Sequence, residues 1–148
     1  LFFMVALWSP KYDPFYDLHG TIWAWVLLGL FGVGAGIIAY TGLLMGGKEL
    51  MGISALTAIS SGKAAAPDTF RTPGLYKYVR HPLYLGMLIC FWVTPAMTRD
   101  HLFFSEVMTA YILIGIYFEE KDLEKRFGDA YHDYKKRVPM LIPWKGRP

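Results

Sequence analysis

The chain has a single cysteine, Cys90, so it can form no internal disulfide and carries no Cys-x-x-Cys metal motif. Its four histidines, His19, His81, His101 and His132, never recur at a four-residue spacing, which excludes the helical zinc pair. Charge is also scarce. Asp, Glu, Lys and Arg make up 18% of the 148 residues, against about 25% in ordinary soluble domains. The formal net charge of +3 gives no reason to expect a nucleic-acid partner. What fills the chain instead is apolar side chains, at 54%. Residue 1 is Leu and the stretch to Trp8 is already apolar, which leads us to expect the tail of a helix and further segments before it.

Three long stretches are almost free of charge. Gly20 to Gly47 is a run of 28 residues without one charged side chain, more than the roughly 20 needed to cross a bilayer as a helix. Pro82–Thr98 and Leu102–Phe118 are 17 residues each, the second interrupted only by Glu106. Arg99-Asp100-His101 lies between them and predicts a tight turn, so Pro82–Phe118 is expected to be a transmembrane helical hairpin. Of the 15 Lys and Arg residues, only Lys11 and Arg99 fall on the hairpin-turn side. The other 13 lie on the opposite side, which positive-inside placement assigns to the cytoplasm. The expected fold is all-α: one domain over residues 1–148, polytopic in the membrane, with a cytoplasmic C-terminal helix.

Some features are bland. Gly32-Val-Gly-Ala-Gly36 has the look of a nucleotide-binding turn, but it lies inside the long apolar run with no strand before it. Gly32/Gly36 and Gly42/Gly46 are each four apart and predict close helix packing. Lys48–Phe70 is a cytoplasmic connection in which Leu50, Met51, Ile53, Leu56 and Ile59 could share one face of a surface helix. Cys90 and Met87 fall mid-helix as core or lipid-facing residues. His19 and His101 are expected as plain polar boundaries.

The hairpin returns its two ends to one membrane level, which places Arg80-His81 beside Glu119-Glu120. Polar groups at that depth are expensive and tend to be functional. Arg80 and His81 could be interfacial anchors, with Tyr76 and Tyr84 in an aromatic belt. Glu119 and Glu120 could simply pair with nearby lysines, or Glu119 could meet a ligand cation. Pro73-Gly74 marks a turn, and Pro82 suits the first turn of a helix. Tyr131 and Tyr134 share a helix face. Val138-Pro139 ends that helix, and Met140–Trp144 can return to the membrane surface.

Tyr76-x3-Arg80-His81-Pro82-x-Tyr84-x-Gly86, then Glu119-Glu120, then Phe127-Gly128-x2-Tyr131-x2-Tyr134-x3-Val138-Pro139 resembles the isoprenylcysteine carboxyl methyltransferase superfamily over about residues 69–144. The texture of Phe91-Trp92-x2-Pro95-x-Met97-Thr98-x2-His101-Leu102 looks like a bacterial branch. That branch holds methanethiol S-methyltransferases and membrane proteins found with denitrification genes, and its members are longer at the N-terminus. The resemblance implies S-adenosylmethionine bound between the hairpin ends and under the tail helix, with residues of about 68–144 forming the cofactor-binding half. Tyr76, His81, Pro82, Leu83 and Tyr84 would line it, Asp68 to Arg71 would touch the adenosine, and Glu119 would accept the ammonium. Faces of Tyr76, Tyr84 and Tyr131 would attract the sulfonium.

For the reaction, Arg80 is the candidate to stabilise a thiolate, and Glu120 or His81 to take its proton. The isoprenylcysteine branch has an Arg four residues before its cofactor Glu. Here that position is Gly115, which weakens a carboxylate substrate and leaves room for a small one. The favoured expectation is methylation of a small thiol such as methanethiol by a protein of the bacterial inner membrane, its cofactor site facing the cytoplasm. Its partners would be a small or lipophilic acceptor and membrane lipid. The alternatives are a lipid amine or isoprenylcysteine carboxylate as acceptor, or a non-catalytic membrane partner of a denitrification complex.

Overall fold

The computed structural model describes residues 13–44 and 70–143. Strand β1 (Pro14–Asp17) leads into helix α1 (Ile22–Leu44), and a single 3-10 turn (Gly74–Lys77) precedes helix α2 (Pro82–Trp92). Strand β2 (Ala96–Thr98), the long helix α3 (Arg99–Phe127) and the short helix α4 (Asp129–Arg137) follow.

Helix α1 is 23 residues of uncharged sequence, long enough at 1.5 Å per residue to span about 35 Å. Helix α3 also meets the length and apolarity needed to cross a membrane. Both turn large apolar groups outward: Trp23, Trp25 and Leu43 on α1, Tyr111, Ile114 and Phe118 on α3 are exposed. Water would penalise such surfaces, whereas hydrocarbon would not.

The expected all-α hairpin needs three corrections. First, its leading limb stops at Trp92, so α2 has 11 residues and is too short to cross a bilayer alone. Thr94-Pro95 accounts for this, because proline drives the preceding residue out of helical space and offers no N–H. The freed residues form β2, which pairs antiparallel with β1 through Pro14↔Thr98, Tyr16↔Met97 and Asp17↔Ala96. Leu18 N–H to the Pro95 carbonyl, 2.9 Å, extends that pairing. Second, Arg99-Asp100-His101 is not the turn but the first turn of α3. Thr98 caps it, its side chain accepting from the His101 backbone N–H at 3.2 Å. Third, α3 does not end near Phe118. Glu119 to Phe127 are good helix formers and carry the helix two turns further.

His101 is more than a polar boundary. Its Nε2, 2.9 Å away, and the Ser105 hydroxyl, 2.8 Å away, both donate to the Phe91 carbonyl at the end of α2. Trp92 Nε1 donates to Thr109 Oγ1 at 2.9 Å. Helices α1 and α2 pack side by side. The close approach is at Gly34 and Gly86, where a Cβ on Gly86 would stand 2.8 Å from the Gly34 carbonyl oxygen. Cβ atoms at Gly32, Gly36 and Gly42 would meet nothing within 4 Å. The helix face that touches α2 thus carries Gly34, about 200° around the axis from Gly32 and Gly36. Gly46 and the surface helix expected within Lys48–Phe70 lie outside the described residues, Phe70 excepted.

Candidate active site

The site is built where α2 begins, α3 passes and α4 closes. Gly74 starts the approach with φ +56°, and a Cβ there would stand 2.6 Å from Leu44 Cδ1 and 2.7 Å from the Tyr40 hydroxyl. Only glycine satisfies both the left-handed backbone and the lack of space, so the 3-10 turn seats against the end of α1. The Tyr134 hydroxyl then donates to the Tyr76 carbonyl at 2.6 Å, tying α4 to that turn. Phe70 packs its ring against Phe127, Tyr131 and Tyr134, with centroids 5.3, 5.9 and 5.2 Å apart. Gly128, at φ +52°, makes the left-handed link that folds α4 back along α3. Beyond α4 the backbone returns to the start of α2: Arg80 N–H donates to the Pro139 carbonyl and His81 N–H to that of Met140.

Side chains lock the same junction. Arg80 Nε donates to Glu120 Oε1 at 2.8 Å, and its Nη1 to the carbonyls of Lys135 and Val138 at 3.0 and 2.8 Å. His81 Nε2 lies 3.2 Å from the same Glu120 oxygen. Lys135 Nζ reaches Glu120 Oε2 at 2.8 Å and Glu124 Oε1 at 2.9 Å. Both Arg80 and Glu120 are nearly buried in this pair. Buried charges of this kind persist only when fully paired.

Beside the network lies a cavity of about 290 Å³, just under the range of about 300–1,000 Å³ for small-molecule sites. Arg71, Tyr76, Arg80, His81, Glu119 and Tyr131 line it, together with Leu44, Phe70, Thr72, Pro73, Leu123, Phe127 and Tyr134. Glu119 remains 43% exposed on its side chain, in contrast to Glu120. His81 Nδ1 is 3.8 Å from Glu119 Oε2. The tyrosines are neutral donors. Burial, then the Glu119 charge, pushes Tyr76 up to about 12. Burial, partly offset by Arg80, pushes Tyr134 up to about 12, and burial raises Tyr131 further still. Hydrogen bonds to Glu120 and Glu124 raise Lys135. The Tyr131 hydroxyl is buried with no hydrogen-bond partner among the described residues.

Of the ten residues singled out from sequence, six line the cavity and four do not. Glu120 stands behind the wall in the ion network. Pro82 is fully buried at the first turn of α2, and Leu83 follows it. Tyr84 sits next to His81, ring centroids 5.7 Å apart. Leu44, Leu123 and Lys135 were missed. Leu123 is four residues after Glu119, so helical spacing alone puts it on the same face. Lys135 could have been found by asking what neutralises the second acid of Glu119-Glu120. Leu44 carries no local signal, since it arrives from the far end of α1.

A mainly helical chain, with two helices long enough to span a bilayer and a part-polar cavity at one end of them, is the class these observations define. The chain belongs to the family described as "Protein of unknown function (DUF1295)", whose model matches residues 21–138. It is 54% identical over 97 residues to methanethiol S-methyltransferase 1 of Bradyrhizobium diazoefficiens, covering 66% of this chain and 34% of that protein. It is 44% identical over 141 residues to methanethiol S-methyltransferase of Pseudomonas deceptionensis, covering 95% and 53%. Over 75 residues it is 40% identical to protein-S-isoprenylcysteine O-methyltransferase of Schizosaccharomyces pombe, covering 49% and 32%. The chain thus spans from a third to about half the length of these relatives. No solved structure matches it.

Proposed function

We propose that this chain forms the cofactor-binding part of an integral membrane methyltransferase that uses S-adenosylmethionine to methylate a small thiol such as methanethiol. The observation that carries the reading is the cavity itself: a half-exposed carboxylate, Glu119, set among aromatic rings and beside a buried Tyr131 hydroxyl that has no partner among the described residues. That donor and acceptor set fits the group. Glu119 would accept from an ammonium, Tyr76 and Phe127 would face a cation, Arg71 would meet a carboxylate or the nucleoside, and Tyr131 would donate to a polar atom. Bound there, S-adenosylmethionine supplies an electrophilic methyl group on a sulfonium.

The protein's own work is orientation and exclusion of water. Phe70, Phe127, Tyr131 and Tyr134 close one wall, and α4 is held over it by the Arg80 and Tyr134 bonds. Arg80 lines the cavity while its Nε and Nη1 are committed elsewhere. It contributes positive potential toward a developing thiolate. A Cβ at Gly115 would meet nothing within 4 Å, which leaves the α3 face one turn before Glu119 open to an acceptor. The names of the relatives at 54% and 44% identity favour a thiol acceptor. The excess of Lys and Arg after Phe118 favours an inner-membrane protein with this site on the cytoplasmic side.

Calorimetry of S-adenosylmethionine with the full-length protein in detergent tests the reading. Wild type should bind, and Glu119→Ala should bind at least tenfold more weakly, the loss expected for a charge-assisted hydrogen bond of about 1.5–3 kcal/mol. A folded wild-type protein that does not bind overturns it and favours a non-catalytic membrane partner.

A further inference from the structure

His81 and Glu120 form a contact that binding alone does not require. Both are buried, at 5% and 7% exposure, and they meet at 3.2 Å through Nε2 and Oε1. Arg80 donates to that same oxygen and Lys135 to the other. Three donors converge on one carboxylate, which keeps it ionised and able only to accept. His81 Nε2 must then carry its hydrogen, and in the neutral ring Nδ1 keeps the lone pair. Nδ1 lies on the side of Glu119, 3.8 Å from Oε2, and His81 lines the cavity.

We propose that Glu120 is a positioning residue that fixes the tautomer and the ring of His81, and that His81 Nδ1 is the base that takes the acceptor's proton. This rests on the methyltransferase reading above. A base held at one nitrogen by a buried carboxylate, with its other nitrogen facing the reactants, is the general arrangement for activating a weak nucleophile. In the step, the acceptor's S–H bond breaks and its proton goes to Nδ1. The sulfur lone pair forms the new C–S bond while the pair of the donor's C–S bond stays on the donor sulfur, and one proton is released per turnover. The groups near His81 are Glu119 and Glu120 from α3, Arg80 from its own segment and Tyr84 from α2, with Lys135 of α4 reaching Glu120 and Tyr131 of α4 lining the same cavity. Arg80 and Lys135 hold Glu120 as an ion, and Glu119 is taken by the donor's ammonium in the reading above, so neither acid is left to be the base in its stead.

The test combines kinetics with a readout independent of turnover, on the full-length protein in detergent with methanethiol as acceptor. His81→Asn should lower kcat by about 10²-fold or more, the usual range for a general base being about 10²–10⁴. Glu120→Gln should also lower kcat, and the double variant should be no slower than His81→Asn. Nitrogen-15 histidine spectra, with His81 assigned by its loss in His81→Asn, should show a protonated Nε2 and a lone-pair Nδ1 in wild type and a mixture in Glu120→Gln. Multiplicative losses in the double variant, or the opposite tautomer in wild type, would overturn the proposal. Failure of the methyltransferase reading looks different: the wild type then binds no S-adenosylmethionine, while the spectra still report whether Glu120 orients His81.

Discussion

Arg80→Met removes one guanidinium and keeps most of its apolar stem. Three bonds disappear with it: 2.8 Å to Glu120, and 3.0 and 2.8 Å to the carbonyls of Lys135 and Val138. Breaking a buried ion pair by deleting one partner costs about 3–5 kcal/mol. Glu120 keeps Lys135 and His81, which argues for the low end, about 3 kcal/mol. The two carbonyls at the end of α4 can recover water once the junction loosens, so their loss is not added in full. At roughly 2–4 °C per kcal/mol for a chain near this size, the melting temperature in detergent should fall by roughly 6–12 °C. Arg80→Lys should recover little of it, because one ammonium cannot reach three acceptors spread over α3, α4 and the segment after it. Limited proteolysis should cut first near Gly128 as α4 detaches. A fall under about 2 °C for Arg80→Met, or full recovery with Lys, would refute the claim that this guanidinium holds the junction.

Tyr131→Phe keeps the ring against Phe70 and removes only the hydroxyl. It should weaken S-adenosylmethionine binding about fivefold, the worth of one hydrogen bond of about 1 kcal/mol, and unchanged binding by calorimetry would assign Tyr131 to the wall alone. Gly86→Ala should destabilise by about 1–3 kcal/mol, because its methyl meets a backbone carbonyl at 2.8 Å. Gly36→Ala should be neutral or slightly stabilising, and thermal melts of the pair decide between the two helix faces. Lys135, Tyr76 and Tyr134 all have raised values. Below about 10 their contribution to stability is complete, and above it the unfolded chain releases protons first. Melting temperature should therefore hold up to about pH 10 and fall between about 10 and 12, less so in Lys135→Met.

The parts of the fold that sequence made legible are those set by composition and by one-dimensional spacing. The uncharged run gave α1, and the return of Arg80-His81 toward Glu119-Glu120 followed from joining two apolar stretches. The shortening of α2 was readable in Thr94-Pro95 but was overridden by the absence of charge through Thr98, since hydropathy says nothing of where a helix ends. The sheet could not be seen because β1 lies 79 residues before β2 begins and neither strand alternates long enough to declare itself. At the site, residue types were visible and their division of labour was not. Glu119 and Glu120 are neighbours in sequence, yet a 100° step along α3 sends one toward the cavity and the other into a buried knot of cations. Choosing between Gly32/Gly36 and Gly34 needed the same information, the rotation of a helix about its axis.

The way α4 closes the cavity also orders the making of the protein. A ribosome delivers Phe70 to Glu119 first, and the chain can already set α1, α2 and most of α3 against one another. Arg80 and His81 can meet Glu120 early, but only when Tyr134, Lys135 and the carbonyls of Val138, Pro139 and Met140 have emerged do Tyr76, Arg80, His81 and Glu120 gain the partners that close the cavity. The apolar framework and the binding site are therefore completed at different moments of synthesis. A chain interrupted within α4 would keep its long helices and lose one wall of the cavity, so nonsense changes after Phe127 should leave a protein that accumulates without the closed cavity.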